Sequence, residues 1–395
     1  MSVRLLFLIG ETLFMDLSLS KKQRIVRGSV RSFCVRELLP IARDIDQAAS
    51  FPWEVVEKMG KLGYFGIQVP KKLSGAGLDT VSYVIVIEEI SRVSAALGLC
   101  VSVHNSVAVY PLLAFGTQAQ KEKWVPALAR GEKIGAFCLT EPNAGSDAAG
   151  IESTAIRDRD HYLVNANKVL ITNAGVADVC LIFTRTDPKA GRRGISVIVA
   201  ERGTPGFVVG DLEDLCGLRA NPVASIRLYD CRIPAENLLG KEGMGLQIGL
   251  MTLDTGRIGI AAQAVGIAQA ALEESVKYAS ERRQFGTPIA NHQAVMMMLA
   301  DMATLVEASR LMVFRAAWLR DKGRPFSQAS AMAKLHASET SSKVTDMAVQ
   351  IHGGYGYSKA YPVERYYRDA RATRIYEGTS EIHRTVIARG VLGKS

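Results

Sequence analysis

The sequence predicts an α+β protein that is mainly α-helical: an N-terminal helical domain, a middle antiparallel β-barrel domain and a C-terminal four-helix bundle. Three observations support this. Apolar residues recur every three or four positions before about residue 134 and after about residue 243, as on the buried face of a helix. Between these regions, short β-branched segments alternate with turn residues, which is typical of strands. The 395 residues are enough for two or three such domains.

The elements follow in order along the chain. Residues 15–134 hold amphipathic segments such as "FPWEVVEKMGKLGYFGI", separated by loops. Residues 135–242 hold short alternating strands such as "GISVIVAER" and "SIRLYDCRIP". Residues 243–395 hold long apolar helices with short connections, a pattern that favours a bundle. One of these helices ends at the glycine pair Gly353 and Gly354, which suits a C-cap.

Residues 1–14 are predicted to be an extension without a role in the fold, because Met15 begins a plausible helix entry. The apolar run Leu5–Ile9 is too short for a membrane span and weak for a secretion signal, although a targeting role is the alternative. We therefore expect a location in the bacterial cytoplasm or in the mitochondrial matrix, without a membrane partner.

The composition excludes several function classes. The net charge is +9, but the basic residues are spread without a run of five, which argues against nucleic-acid binding and favours small anionic ligands such as phosphates. The six cysteines are scattered and predict reduced thiols. The histidines lack metal-ligand spacing, so we expect no metal site. "GGYGYS" lacks the context of a dinucleotide fingerprint, and no phosphate-binding P-loop motif is present, which disfavours nicotinamide enzymes and nucleotide triphosphatases.

Four motifs, in this order over nearly the whole chain, resemble the acyl-CoA dehydrogenase family, most closely its short-chain (butyryl-type) branch. They are "FCLTEPNAGSDAAG" (137–150), "DTGRIGIAAQAVGIAQAALEESVKYASERRQFG" (254–286), "QIHGGYGYSKAYPVERYYRDAR" (350–371) and "IYEGTSEIHR" (375–384). The resemblance implies the acyl-CoA dehydrogenase fold, an FAD cofactor, an acyl-CoA substrate, an electron-transfer flavoprotein as the acceptor, and a homotetramer built from two dimers.

Two segments of the middle region are candidates for the flavin site. By its residues alone, "FCLTEPNAGSD" is either a strand that runs into a turn or a ligand cradle, in which small residues allow backbone N–H groups to approach a ligand. The resemblance implies that Phe137, Leu139 and Thr140 line the flavin and that Ser146 contacts the CoA part of the substrate. It assigns the second flavin segment to Leu170, Ile171 and Thr172. The family usually has an aromatic residue, often tryptophan, where this chain has Leu170.

Basic and glycine residues near two helix ends are candidates for the rest of the cofactor. Alone, they are also explained as solvated charges at a helix C-terminus and as a plain C-cap. Arginine suits a pyrophosphate because its donors form a fork. The resemblance assigns to the FAD of a neighbouring subunit the residues Arg282, Phe285, Gln293, Gln350, Gly353 and Gly354.

The segment "LDTGR" contains Asp254 and Arg257, which either pair locally at a helix start or lie along the CoA arm, as the resemblance implies. Some branched-chain and long-chain members carry their catalytic glutamate at the position of Gly256, which has no side chain to act as a base.

The segment "RIYEGTSEIHR" contains the candidate base, Glu377. A surface glutamate is the alternative, but burial in an apolar pocket raises the pKa of a carboxyl group and strengthens it as a base. The resemblance implies that Glu377 removes the α-proton of the thioester while flavin N5 accepts the β-hydride, with its own backbone N–H polarising the carbonyl. Tyr376 and Gly378 are assigned to the substrate. Thr379 and Glu381, at the start of the next helix, are assigned to the cofactor.

The predicted function is FAD-dependent α,β-dehydrogenation of a short, or small branched or cyclic, acyl-CoA. A glutaryl substrate is disfavoured because the stretch "AALGLCVSVHN" (95–105) lacks an arginine. The alternatives are an acyl-CoA oxidase that uses dioxygen, against which the length counts, and a catalytically silent acyl-CoA- or flavin-binding homologue, against which the intact Glu377 counts.

Overall fold

The computed structural model describes residues 18–393. The predicted extension, residues 1–14, lies outside the described residues. Within them, a helical region, a sheet and a second helical region follow one another along the chain, which confirms the predicted α+β class.

The first region is a packed set of helices. Ser20 caps the first of them: its hydroxyl accepts from the Gln23 N–H, and the Gln23 side chain accepts from the Ser20 N–H. The helices are α1 (Lys21–Phe33), α2 (Ala42–Gln47), α3 (Trp53–Lys61), α4 (Thr80–Ser91), α5 (Ala95–Val103), α6 (Tyr110–Phe115) and α7 (Gln118–Ala129). A π-helical turn, His104–Val109, joins α5 to α6, so that Ala95–Phe115 is one continuous helix. This helix is long and apolar enough to cross a bilayer, but 89% of its most apolar window is buried inside the protein, as in a core helix.

The middle region is one mixed sheet. Its strands are β1 (Gly135–Cys138), β2 (Thr154–Asp158), β3 (His161–Ile171), β4 (Val179–Arg185), β5 (Ile195–Glu201), β6 (Phe207–Leu212), β7 (Ala224–Pro234) and β8 (Leu238–Leu239). The order is β6-β7-β3-β2-β4-β5-β8, and β1 pairs with β4.

The predicted antiparallel pairing is confirmed for most neighbouring strands, with two exceptions. Strand β1 runs parallel to β4, with Gly135 opposite Val179, and β2 meets β4 in parallel at a single pair, Thr154 and Arg185. The β2–β3 hairpin lies between β1 and β4 in the chain, so β1 pairs with a distant strand that enters in the same direction. Among the described strands, β6 and β8 form the two ends of the order and do not pair with each other, so the sheet is open.

The last region is dominated by three long helices. The elements are α8 (Gly245–Glu281), β9 (Arg283–Gln284), β10 (Thr287–Pro288), α9 (Gln293–Asp321), α10 (Ser327–His352), α11 (Val363–Ala372) and α12 (Ser380–Val391). Helix α8 packs against α10, α9, α4, α5 and α11, and α10 also packs against α12. One apolar core therefore runs from the first helical region into the last. As predicted, α10 ends at a glycine, Gly353, whose φ is +58°.

Candidate active site

The loop between α11 and α12 presents the candidate base. Thr379 is the N-cap of α12, and its hydroxyl accepts a hydrogen bond from the Ile382 N–H at 3.3 Å. Glu377 lies two residues before this cap and has a left-handed backbone, with φ of +52°. This conformation is strained for a residue with a side chain, so the surroundings must hold it in place. Glu381 lies exposed in the first turn of α12.

The carboxylate of Glu377 is buried although the residue as a whole is half-exposed. Neither oxygen has a hydrogen-bond partner among the described residues. The carboxyl group lies against Gly256 of α8, where a Cβ would be 2.8 Å from the Glu377 Cδ and closer still to Oε2. Only glycine at position 256 leaves this space, so the small residue that appears in "LDTGR" admits the base to the site.

Burial sets the proton affinity of Glu377. Desolvation raises the pKa of its carboxyl group, the positive charges of Lys334 and Arg257 partly offset this rise, and the resulting pKa is about 7. A buried carboxyl group without hydrogen bonds, titrating near neutral pH, is equipped to take a proton from a bound molecule. The Tyr376 hydroxyl beside it donates to Gln263 Oε1 at 2.7 Å, which fixes the tyrosine ring.

Arg257 and Asp254 form the local pair that the sequence allowed. Arg257 Nη1 lies 2.5 Å from Asp254 Oδ1, one helical turn apart on α8, and Arg257 is 5% exposed. Burial raises the pKa of Asp254 and the Arg257 charge opposes that rise. Their predicted contact with a CoA arm stays a prediction.

The two predicted flavin segments lie side by side. The Val169 N–H donates to the Thr140 carbonyl at 3.0 Å, which joins the residues after β1 to the end of β3. Leu170 lies in a β-bulge with φ of +55°, and it is 58% exposed. Thr140 and Thr172 are half-buried. Polar and exposed groups of both segments are thus available to one ligand.

The other predicted residues of these segments contribute less side-chain surface. Ile171 is buried in the sheet core, which leaves its backbone for a ligand. Leu139 is nearly buried, and the Phe137 ring packs on Phe183 with centroids 4.7 Å apart. Ser146 is exposed in the loop after β1.

A buried ion pair under these segments was missed from the sequence. Lys168 Nζ lies 2.6 Å from Glu141 Oε1, and it also donates to the carbonyls of Phe183 at 2.6 Å and Leu139 at 3.3 Å. Burial lowers the pKa of Lys168, and the Glu141 carboxylate opposes that. One ammonium group on β3 therefore joins the residue after β1 to the interior of β4, next to the predicted flavin segments. A lysine in the alternating pattern of β3, at a position where apolar residues face inward, was the available signal.

A separate cavity of about 580 Å³ lies beyond the end of α8. Its lining includes Arg282, Gly353 and Gly354, three of the residues predicted to bind the cofactor. No atom lies within 4 Å of where a Cβ would stand on either glycine, so the backbone is open to a ligand. An arginine beside open backbone fits the phosphates of a dinucleotide.

The remaining members of this predicted group lie outside the cavity. Phe285 is 95% exposed in the turn between β9 and β10, where it contacts the His292 ring edge to face at 5.8 Å. Gln293 and Gln350 are exposed at the start of α9 and near the end of α10. Helix α8 separates this group from Gly256 by about 39 Å at 1.5 Å per residue. One chain therefore does not bring the two groups together.

Lys334 was also missed from the sequence. It lies on α10 and is completely buried, and its ammonium donates to the Gly378 carbonyl at 2.7 Å. Its signal was a charged residue on the helix face that also carries Ala331 and Ala337, which are both buried.

Comparisons with known proteins show which family the chain belongs to. The chain matches the family models for the acyl-CoA dehydrogenase N-terminal domain over residues 20–132, the middle domain over 136–231 and the C-terminal domain over 243–392. It is 48% identical to an acyl-CoA dehydrogenase of Bacillus subtilis (strain 168), over 95% of this chain and 99% of the relative. It is 46% identical to a short-chain specific acyl-CoA dehydrogenase of Clostridium acetobutylicum, with the same coverage. The structure of butyryl-CoA dehydrogenase from Megasphaera elsdenii superposes with a TM-score of 0.94, at 41% identity, over 96% of this chain and all of that one.

Proposed function

This chain belongs to the acyl-CoA dehydrogenase family, and we propose that it oxidises an acyl-CoA thioester to the 2-enoyl-CoA, with Glu377 as the catalytic base. The observation that carries the proposal is the Glu377 carboxyl group, which is buried, has no hydrogen-bond partner among the described residues and has a pKa of about 7.

The residues fit FAD as the cofactor. Thr140, Leu170 and Thr172 offer adjacent polar and exposed groups for the flavin, and Arg282 with two open glycines offers a phosphate site. When bound, FAD would accept the β-hydride of the substrate.

The protein residues perform the proton transfer. Deprotonated Glu377 takes the α-proton, and a dry site strengthens it as a base because the carboxylate is not solvated. Negative charge develops on the thioester oxygen, where the Glu377 backbone N–H donates a hydrogen bond. Tyr376 and Gly378 flank the acyl group, and Asp254, Arg257 and Ser146 contact the CoA part.

The 39 Å between Gly256 and Arg282 supports an oligomeric active site. A single dinucleotide does not bridge that distance, so Arg282, Phe285, Gln293, Gln350, Gly353 and Gly354 bind the cofactor of a neighbouring subunit. The 95% exposure of Phe285 suits a residue that is covered by a second chain. We propose a tetramer built from two such dimers.

We propose an electron-transfer flavoprotein as the electron acceptor, and the exposed side chain of Leu170 leaves this edge accessible to a partner protein. The six cysteines carry free thiols, which supports a reducing compartment such as the bacterial cytoplasm or the mitochondrial matrix.

The substrate class is a short, or small branched or cyclic, acyl-CoA, and an anaerobic titration tests it. Butyryl-, isobutyryl-, cyclohexanecarbonyl- and longer acyl-CoAs are added to the purified protein while flavin absorbance is followed. We expect fast bleaching by one of the small thioesters and at least a 100-fold slower reaction in Glu377→Gln, since a general base contributes about 10²–10⁴-fold. Bleaching that survives Glu377→Gln would place the base elsewhere, and a yellow protein that none of the thioesters bleaches would favour a silent homologue. Rapid reoxidation by air would favour the oxidase.

A further inference from the structure

Lys334 is in direct contact with the turn that carries Glu377. Its side chain is completely buried on α10, and its Nζ donates to the Gly378 carbonyl at 2.7 Å. Gly378 follows Glu377 in the chain, so the ammonium group holds the Gly378–Thr379 peptide, which lies one residue beyond the base. Burying a lysine is unfavourable unless its charge is paired or hydrogen-bonded, so the burial of Lys334 needs an explanation.

The turn itself needs an external restraint. Glu377 and Gly378 have φ values of +52° and +100°, and a left-handed glutamate is strained. Gly256 on the other side permits the approach of the carboxyl group but offers no donor to hold it. The Lys334 ammonium, bonded to the carbonyl of the strained turn, supplies a restraint.

The titratable groups around Glu377 come from four helices, and Tyr83 of α4, whose pKa burial raises to about 12, is neutral. Lys334 of α10 and Arg257 of α8 both favour the carboxylate form of Glu377, and Lys334 is the stronger of the two. The Arg257 charge is already matched by Asp254 at 2.5 Å. From α12, the His383 ring is buried, and burial lowers its pKa to about 3, so it stays neutral at the pH of interest.

The charges around Lys334 leave Glu377 as its main anionic neighbour. Burial lowers the pKa of Lys334 to about 7, and Glu377 is the first among the groups that oppose this. Glu339 also faces Lys334, but its carboxylate pairs with Arg374 at 3.1 Å. Glu381 is exposed, so its effect is screened by solvent.

We propose that Lys334 is a positioning residue for the base: it fixes the Glu377–Gly378 turn through the Gly378 carbonyl, and its positive charge favours the ionised form of Glu377. This rests on the proposed role of Glu377 and adds a second residue to that site. In this proposal the lysine acts through Glu377 and the turn that follows it.

Three variants of the holoenzyme test the proposal, with kcat and kcat/KM measured from pH 5.5 to 9. Lys334→Met removes the charge and the donor, Lys334→Gln removes the charge and keeps an N–H donor, and Lys334→Arg keeps both. Lys343→Met is the control, since Lys343 is exposed on the same helix. A nearby opposite charge lowers the pKa of a carboxyl group by about one to three units. We therefore expect the acid limb of kcat/KM to move up by about one pH unit or more in the methionine and glutamine variants and to stay in place in the arginine variant and the control.

A second measurement is independent of turnover. Infrared difference spectra of the titrated protein give the pKa of the Glu377 carboxyl group directly, with Glu377→Gln identifying its band. We expect the same upward shift when the Lys334 charge is removed. KM is expected to change less than kcat, because the proposed role of Lys334 is to position and ionise the base and its side chain is completely buried.

Each outcome decides the matter. A wild-type enzyme that no acyl-CoA reduces contradicts the proposed function, whereas an active wild type with an unmoved acid limb in Lys334→Gln overturns only the role of Lys334. If neither uncharged variant folds, the lysine is a structural residue and the proposal is wrong. Loss of activity in Lys334→Arg equal to that in Lys334→Met would also overturn it, because the charge would then be irrelevant.

Discussion

Replacement of Gly256 by alanine tests the geometry of the base most directly. A Cβ at this position would stand 2.8 Å from the Glu377 carboxyl carbon and 2.9 Å from a methyl group of Val107. Carbon atoms in contact are normally about 3.5–4.0 Å apart. The glutamate must therefore retreat by about 1 Å, since Gly256 lies in the interior of α8, which packs on several other helices.

The expected effect on rate is large and the effect on stability modest. A displacement of about 1 Å in a reacting group costs about 10²-fold in rate. Overpacking costs roughly 1–3 kcal/mol, and replacing a glycine inside a helix by alanine returns about 0.5–1 kcal/mol. We expect flavin reduction by the best acyl-CoA to slow about 100-fold in stopped-flow measurements, while the free energy of unfolding falls by at most about 2.5 kcal/mol.

Gly28→Ala is the matched control for Gly256→Ala. Gly28 also lies inside a helix, α1, and nothing stands within 4 Å of its Cβ position. We expect a gain in stability of about 0.5–1 kcal/mol and an unchanged reduction rate. A Gly256→Ala enzyme that reduces its flavin at the wild-type rate would refute the close approach of Glu377 to α8.

Three further predictions follow from the site. The pKa of Glu377 in the folded protein, about 7, lies above its ordinary value, so the stabilising contribution of this residue is present at low pH and is lost as pH rises through 7. Glu377→Gln should therefore raise the free energy of unfolding more at pH 8 than at pH 5. Equal gains at the two pH values in denaturant titrations would contradict this. Lys168→Met leaves Glu141 buried without its partner and should cost about 3–5 kcal/mol in thermal or chemical unfolding, part of which Glu141→Gln in the same chain should restore; an unchanged midpoint would show that the pair is dispensable. Arg282→Met should weaken FAD binding at least tenfold in equilibrium dialysis, whereas Arg283→Met, at the exposed neighbouring residue, should not. Equal effects of the two substitutions would show that this cavity does not bind the phosphates.

The sequence was sufficient where structure depends on local pattern. Helical and alternating periods predicted the helix–sheet–helix order, and Thr379 was placed at the start of a helix, where it caps α12. Pairing in the sheet was harder, because the parallel partner of β1 is a strand about 40 residues away and only side-chain packing selects it. Antiparallel pairing was the simplest assumption for short strands, and the pairs that β1 and β2 form with β4 are the exceptions to it.

The sequence identified Glu377 as the candidate base but did not predict the surroundings of its carboxyl group. The resemblance identified Glu377, but no residue near it in the sequence indicates that its carboxyl group is buried against Gly256, which is 121 positions earlier in the chain. Lys334 was overlooked for the same reason: nothing near it in the sequence indicates that the Gly378 carbonyl lies within reach of its side chain. Contacts between distant segments are decided by the packing of α8, α10 and the loop before α12, which a periodic pattern does not specify.

The length of α8 has a genetic consequence. Suppose that one end of this helix contacts the base of its own subunit and the other end binds the cofactor of a neighbouring subunit. A chain with Glu377→Gln then lacks the base of its own site, whereas a chain with Arg282→Met lacks a cofactor-binding residue of its neighbour's site. When both chains are expressed in one cell, mixed dimers would contain one centre with both defects and one with neither. Two inactive alleles would then complement each other, and the restored activity would depend on how freely the chains exchange during assembly.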